Sequence, residues 1–252
     1  MYNEETEKLI IGKNAISEYF ESGRPINSIL IAKGKKTAAL MKLVLKAKEL
    51  EISIKTVDTK RLDMLCRGGN HQGIIATAAA QNYASLEDIF NLAYQRKEPP
   101  FLLIADEIED PHNLGAIIRT AECAGVHGII IPKRRSPGLN FTVGKASAGA
   151  IEHILTARVT NLSSTVDSLK QKGIWVYGAD TSGCDWGKTD FRGPVALIVG
   201  NEGRGISRIL KEKCDMLVSL PVYGKINSLN VSVAAGIFLY EIAKQRANNA
   251  AR

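Results

Sequence analysis

From residue 101 onward the chain alternates short, almost continuously apolar runs with helical patterns, and this alternation is the strongest limit on its fold. The runs fall at 101–105, 128–131, 175–179, 195–199 and 217–220, and helical spacing fills 114–124, 162–172, 206–213 and 231–245. A strand apolar on both faces has to be covered on both faces, and parallel strands need crossover segments to bring the chain back. The pattern predicts an α/β fold with a parallel sheet between layers of helices. In such sheets ligands bind at the loops that leave the carboxyl ends of the strands.

The first 80 residues repeat the alternation on a smaller scale. A helix is expected at 14–20, a strand at 26–32, and a helix at 37–50, where Leu40, Leu43, Val44, Ala47 and Leu50 keep helical spacing. A strand at 52–57, a helix at 59–66 and a strand at 73–79 after the Gly68-Gly69-Asn70 turn complete a small α/β domain. Residues 81–98 hold a short helical stretch at 86–94 and end against Pro99 and Pro100, so they read as a linker. The expected organisation is a domain at 1–80, a linker at 81–98 and a second domain at 99–252. A chain of 252 residues is long enough for two cores of ordinary size.

Composition narrows the partners. Lys and Arg number 33 against 26 Asp and Glu, and the excess is +4 in 1–80 and +4 in 99–252. A polyanion touched by both halves fits that balance. The four cysteines are far apart with no Cys-x-x-Cys pair, so neither a zinc site nor a disulfide framework is expected. Residues 1–8 are polar and acidic and no 18-residue apolar run occurs, so the chain reads as neither secreted nor membrane-spanning, with the cytoplasm its simplest home.

Three segments follow strand ends and carry unusual residues. The first, DEIEDPHNLGAIIRTA from Asp106 to Ala121, offers Asp110 as a helix N-cap with Pro111 behind it. Its acidic cluster with His112 has the spacing of no common metal site and reads as a solvated turn, so no metal is expected. Asn113 and Arg119 are not explained by capping. Arg119 reads either as half of a buried ion pair or as a residue facing a ligand.

The second segment, ALIVGNEGRGIS from Ala196 to Ser207, lacks the Gly-Lys-Ser/Thr of a phosphate-binding loop and the glycine order of a dinucleotide fingerprint. Its glycines permit either a tight turn or close approach of the main chain to a ligand. The third, SLPVYGKINSLNVSVAAG from Ser219 to Gly236, runs from a strand end through a loop to a helix, with Ser228 as expected N-cap. That helix is apolar on nearly every side and is expected to be buried, with Ala234, Ala235 and Gly236 allowing close packing.

Together the segments resemble the three signature motifs of the SpoU (TrmH) family of RNA ribose 2′-O-methyltransferases. Asn113 with Arg119 resembles the first motif, Gly200-Asn-Glu-Gly-Arg-Gly205 the second, and Leu220-Pro with Asn227-Ser-Leu-Asn-Val-Ser-Val-Ala234 the third. The resemblance covers about 99–247. The N-terminal region resembles an L30e/L7Ae-like RNA-binding domain through Ile11-Gly-Lys-Asn-Ala-Ile16 and His71-Gln-Gly-Ile-Ile-Ala76, with Asn14 where members often have His. The arrangement is most similar to the bacterial enzymes that methylate a guanosine ribose in 23S ribosomal RNA.

The resemblance implies S-adenosylmethionine as cofactor, a deep trefoil knot in the C-terminal domain, a homodimer through that domain, and structured RNA as partner, ribosomal RNA before transfer RNA. Cofactor contacts are implied for Gly200, Leu220 and Leu229, with Asn201, Gly205 and Asn230 nearby. Arg119 is implied to act on the ribose hydroxyl, with Asn113, Glu202, Ser228 and Asn230 orienting it and the nucleotide. A guanidinium keeps its proton above pH ~12, so Arg119 fits a group that binds the hydroxyl and lowers its pKa better than a general base. The basic run Lys133-Arg134-Arg135 is expected either to contact phosphate or to form a solvated loop.

Overall fold

The computed structural model describes residues 9–21, 26–34, 37–66, 69–78 and 83–250. The polar start at 1–8, Gly68 and residues 79–82 lie outside the described residues. The chain divides into two compact units, Met1–Asn82 with Gly138–Thr142, and Tyr83–Pro137 with Val143–Arg252.

The first unit is built on strands β1 (Leu9–Ile11), β2 (Ile26–Ala32), β3 (Ser53–Val57) and β4 (Ile74–Ala78), ordered β1-β4-β2-β3. β4 runs antiparallel to β1 and β2, and β3 is parallel to β2. Alternation along β4 separates two faces. Ile74, Ala76 and Ala78 join Ile16 of α1 (Lys13–Glu21) and Leu40, Leu43 and Ala47 of α2 (Ala38–Glu49) in one core. Ile75 instead packs with Leu62 and Cys66 of α3 (Thr59–Cys66). The expected small α/β domain is thus a mixed sheet with helices on both sides.

The second unit carries an all-parallel sheet of six strands, ordered β10-β8-β9-β5-β6-β7. These are β5 (Phe101–Ala105), β6 (Gly128–Pro132), β7 (Leu155–Val159), β8 (Trp175–Asp185), β9 (Val195–Val199) and β10 (Met216–Ser219). Leu102, Ile104, Ile130, Ala196 and Ile198 meet one helical layer made by α4 (Leu86–Arg96), α7 (Leu162–Gln171) and α8 (Arg208–Lys213). Their neighbours Phe101, Leu103, Ile129, Ile131 and Leu197 are equally buried. On that side α5 (Pro111–Cys123) packs along α9 (Val231–Ala250), and Arg246 of α9 lies over the Phe101 ring at 5.2 Å. α6 (Phe141–Ala146) crosses close to α5. A β-carbon at Gly115 would sit 2.4 Å from Ala146 Cβ, so only glycine admits that crossing.

Four sequence expectations change here. Residues 83–98 are no linker: Ser85 and Asp88 close a capping box on α4, and Ile89 sits in the core of the second unit. Gly128 makes room for it, since a β-carbon there would meet Ile89 at 2.4 Å. β7 is a strand where none is expected, because Thr156 and Arg158 interrupt its apolar run; it is one of the two edge strands, and Arg158 donates to the Lys133 carbonyl at 3.0 Å. α9 is capped by Asn230, whose Oδ1 accepts from the main-chain N–H of Ser232 at 2.9 Å, so Ser228 is not the cap. Nor is α9 buried all round. Ala235, Phe238, Leu239 and Ile242 face the core, while Val233 and Tyr240 are about half exposed at 51% and 55%.

Candidate active site

The sheet order places a crevice. From β5 the chain moves to β6 on one side, and from β9 it moves past β8 to β10 on the other, so the loops after β5 and β9 diverge at their carboxyl ends. That divergence is where open parallel sheets bind ligands. The first two motifs leave from these two adjacent strands, which pair from Phe101↔Val195 to Ala105↔Val199.

Direct bonds hold the two loops together. The Asp106 main-chain N–H donates to the Val199 carbonyl at 2.8 Å, and its buried carboxylate accepts from the Ser207 N–H at 2.7 Å. Asn201 donates through Nδ2 to the Glu107 carbonyl at 3.2 Å. The loop from Gly200 to Gly205 closes on itself through Asn201 N–H to Gly205 O at 3.0 Å and Gly205 N–H to Asn201 O at 2.7 Å. Gly205 has φ +67°, and a β-carbon on Gly200 would lie 2.2 Å from the main chain of Gly205 and Ile206. Both glycines are therefore demanded by the backbone.

Asn230 gathers the three motifs. Its Oδ1 accepts from the main-chain N–H groups of Ser232 and Val233, at 2.9 and 3.4 Å, and from the Ser232 hydroxyl at 2.6 Å. Main-chain donors fix the orientation of the amide, so Nδ2 has to point the other way. It donates to Asn113 Oδ1 at 3.0 Å and to a Glu202 carboxylate oxygen. The amide nitrogen of Asn113 and the second Glu202 oxygen remain unspent among the described residues. They offer one donor and one acceptor beside the crevice.

The other expected residues stand apart from this network. Arg119 is exposed and makes no hydrogen bond or ion pair among the described residues, which removes the buried ion pair as its explanation. Six residues along a helix correspond to a rise of about 9 Å and a rotation of about 120° from Asn113, so the two do not share a face. Pro221 to Asn230 are all exposed, and Leu229 is 43% accessible. Leu220, Ser228 and Leu229 have no hydrogen-bonded partner among the described residues.

The sequence reading missed a clip. Glu107 holds a positive φ of 54°, and its carboxylate, mostly shielded, pairs with Arg135 and, at 3.1 Å, with Arg204. The turn read as solvated therefore contains a buried anchor, Asp106, and a pin, Glu107. Arg135, from the basic run read either as a phosphate contact or as a solvated loop, is paired with that pin. Only the pairing of positive φ with two facing arginines marks Glu107, and neither is visible in a one-dimensional pattern. Among the described residues no group of His, Cys, Asp and Glu could hold a metal ion.

The divergence of β5 and β9, with a glycine-containing loop and unspent amide and carboxylate groups beside it, is where an open parallel sheet takes a ligand. The SpoU rRNA Methylase family matches residues 100–240, and the RNA 2′-O ribose methyltransferase substrate-binding family matches 9–84. A TrmH-family tRNA/rRNA methyltransferase of Bacillus subtilis, YacO, is 48% identical over 94% of this chain and 95% of its own length. A TrmH-family relative in Staphylococcus aureus is 42% identical over 94% of this chain and 96% of its length. The solved SpoU methyltransferase AviRb from Streptomyces viridochromogenes, in complex with AdoMet, superposes with a TM-score of 0.61 at 25% identity, covering 96% of this chain and 91% of that one. The chain belongs to the SpoU (TrmH) family of RNA 2′-O-ribose methyltransferases, enzymes that use S-adenosylmethionine.

The residues present fit that cofactor. The main chain of residues 221–229 makes no hydrogen bond among the described residues, so its N–H and C=O groups are available to a ligand rather than consumed by the fold. Leu220, and Leu229 at 43% exposure, add apolar surface beside that main chain.

Proposed function

We propose that this chain methylates a guanosine ribose in 23S ribosomal RNA. The observation that carries the reading is the bonded set Asn113–Asn230–Glu202, which draws residues from three distant segments to one edge of the sheet. Its two unspent polar atoms suit a ribose, which presents both donors and acceptors.

When bound, S-adenosylmethionine supplies an electrophilic methyl group for in-line displacement by the ribose oxygen. Gly200, Leu220 and Leu229 would hold it, with Asn201, Gly205 and Asn230 nearby. Asn113 and Glu202 orient the ribose. Arg119 engages the 2′-hydroxyl or its neighbouring phosphate and lowers the hydroxyl's pKa, Ser228 and Asn230 help orient the nucleotide, and the proton leaves to phosphate or solvent. An unpaired, exposed Arg119 is consistent with a residue waiting for RNA.

The names of the Bacillus and Staphylococcus relatives cover both tRNA and rRNA, so transfer RNA is the second reading. The separate substrate-binding unit supports a large structured target. The return of the chain from β10 at the sheet edge to α9 beside α5 is the path we read as knotted. The half-exposed Val233 and Tyr240 on α9 fit a homodimer contact, and the cytoplasm is the compartment we assign. Among the described residues no helix is long and apolar enough to cross a membrane.

The test is Arg119→Ala, followed by transfer of labelled methyl to 23S ribosomal RNA and by calorimetry with S-adenosylmethionine. Turnover should fall by about a hundredfold or more while cofactor affinity holds within about twofold. Wild-type turnover would remove Arg119 from the chemistry. Mass-spectrometric mapping of ribose methyls in ribosomal and transfer RNA, with and without the gene, decides between the two substrates.

A further inference from the structure

Three neighbouring strands, β9, β5 and β6, send the loops that follow them past one carboxylate. Glu107, just beyond β5, places one oxygen against Arg135 of the loop after β6 and the other 3.1 Å from Arg204 Nη2 of the loop after β9. Glu109 stands 3.7 Å from the same Arg204 nitrogen. The main chain of Glu107 takes part as well, since its carbonyl accepts from Asn201 Nδ2 at 3.2 Å.

Stability does not account for a glutamate at this place. Glu107 has φ +54° and Arg135 φ +57°, the left-handed region where a residue with a β-carbon is strained and glycine is not. Both ends of one ion pair therefore carry backbone strain. The two arginine side chains are 61% and 64% exposed, and ion pairs so open to water contribute little to folding. A glycine at 107 would relieve the strain and lose only these contacts. Strain retained beside a ligand crevice marks a part held in place for function. The hydrogen bond and charge of Glu107, with Glu109 and Asp106 adding to them, push the Arg135 guanidinium above its ordinary pKa, which favours the charged clip.

What the clip holds is the tip of the loop from Gly200 to Gly205. The stem closes by itself through the paired main-chain bonds of Asn201 and Gly205. The tip, Glu202 to Arg204, is exposed, so burial does not place it. Glu107 tethers it at two points. Asn201 is bonded to the Glu107 carbonyl, while its own Oδ1 accepts from the N–H groups of Gly203 and Arg204 at 3.0 and 3.3 Å. Arg204 is paired with the Glu107 carboxylate, which Arg135 fixes from the far side. Glu202 lies between these tethers, and its carboxylate accepts from Asn230 Nδ2, which also donates to Asn113.

We propose that Glu107 is a positioning residue for methyl transfer: through Arg204 and Asn201 it fixes Glu202, and with it the Asn113–Asn230 pair, for the ribose of the RNA. The assignment rests on the reading of the chain as an RNA methyltransferase in which Glu202 orients the nucleotide. It divides the loop into a stem that serves the cofactor and a tip that serves the ribose.

Glu107→Gln, Arg204→Gln and the double variant are compared in the full chain with Glu109→Gln, which touches only the 3.7 Å contact. Transfer of labelled methyl at saturating RNA is measured on in vitro transcribed 23S ribosomal RNA or bulk transfer RNA, whichever the wild type methylates faster, beside calorimetry with S-adenosylmethionine. Glu107→Gln should lower kcat by about tenfold with cofactor affinity held within about twofold, a split that general loss of structure does not produce. Arg204→Gln should lower kcat too, and the double variant should lose no more than Glu107→Gln alone, because the pair acts as one unit. Glu109→Gln should stay within about twofold of the wild type. Glu107→Gly, freed of the strain, should share the loss of turnover yet melt within about 3 °C of the wild type. The assignment is overturned if Glu107→Gln keeps kcat within about twofold, loses cofactor affinity as steeply as kcat, or is matched by Glu109→Gln. Losses that multiply in the double variant, or a larger fall in the melting temperature of Glu107→Gly, overturn it as well. A wild-type chain that methylates neither RNA overturns the functional reading instead, and this assignment with it.

Discussion

Replacing Gly200 by alanine tests whether the loop after β9 is shaped for the cofactor. The added β-carbon would lie 2.2 Å from both Gly205 C and Ile206 N, and 2.4 Å from Gly205 O. Carbon contacts settle at about 3.5–4 Å, so this backbone has to recede by more than about 1 Å. That displacement strains the two Asn201–Gly205 bonds, at 3.0 and 2.7 Å, and the Ser207 N–H bond to Asp106 at 2.7 Å. Neutral bonds contribute about 0.5–1.5 kcal/mol each and bonds to a charged group about 1.5–3. Losing all three would cost roughly 2.5–6 kcal/mol. A relaxed loop keeps part of this, so the expectation is about 2 kcal/mol, or a roughly 30-fold weaker Kd for S-adenosylmethionine. Gly203→Ala is the control in the same loop, because its β-carbon meets only Asn201 Oδ1 at 3.6 Å. Calorimetry on both variants, with melting curves to show they are folded, decides it. Gly200→Ala binding the cofactor within about twofold of the wild type would refute the reasoning.

Asn230→Ala removes the bridge between Asn113 and Glu202 and the cap of α9; a missing cap costs about 1 kcal/mol, so melting should drop by about 2–4 °C, while turnover falls by more than tenfold. Asn230→Asp restores the cap alone, and recovery of activity along with stability would sink the bridging role. His127 is fully buried, with Nδ1 accepting from the Phe101 N–H at 3.0 Å and Nε2 3.1 Å from Glu98. Burial pushes its pKa below the ordinary value against the opposing pull of Glu98, with Arg246 and Arg96 reinforcing the fall. The unfolded chain therefore takes up the proton first, and stability present above about pH 6.5 is lost as the pH drops below it. Denaturant melts at pH about 7 and about 5.5 should show a larger loss for the wild type than for His127→Asn; equal losses would exclude this coupling.

What could be read in one dimension was what burial dictates locally. β5 and β9 are apolar at every position, so their sequences announce strands covered on both faces, and the pairing of their loops follows from the sheet. β7 escaped because an edge strand tolerates Thr156 and Arg158, and α4, though legible as a helix, was read as part of a linker because its one buried face, Ile89 and Ala93, is too short to announce the sheet it packs on. Ser228 and Asn230 are equally good caps by type; the choice lies in where α9 begins, which depends on the docking of Val231 and Ala235 beside α5. The motif residues were legible as types. Their division into a bonded trio and an isolated Arg119 was not, because Asn113 and Asn230 are 117 residues apart and their contact is set by packing of whole elements.

That separation also governs how the protein comes into being. β5 is an interior strand, yet its neighbour β9 is synthesised only after β6, β7 and β8, and Asp106 waits for Ser207, 101 residues downstream. Until β9 emerges from the ribosome, one flank of β5 is a bare row of amides and carbonyls beside apolar side chains, the kind of edge that invites pairing with the wrong chain. Closing so long a loop is slow, and the closure has to precede the last step, the arrival of Asn230. A nascent chain therefore cannot join its three motif segments through Asn113, Glu202 and Asn230 until residue 230 has been made and docked.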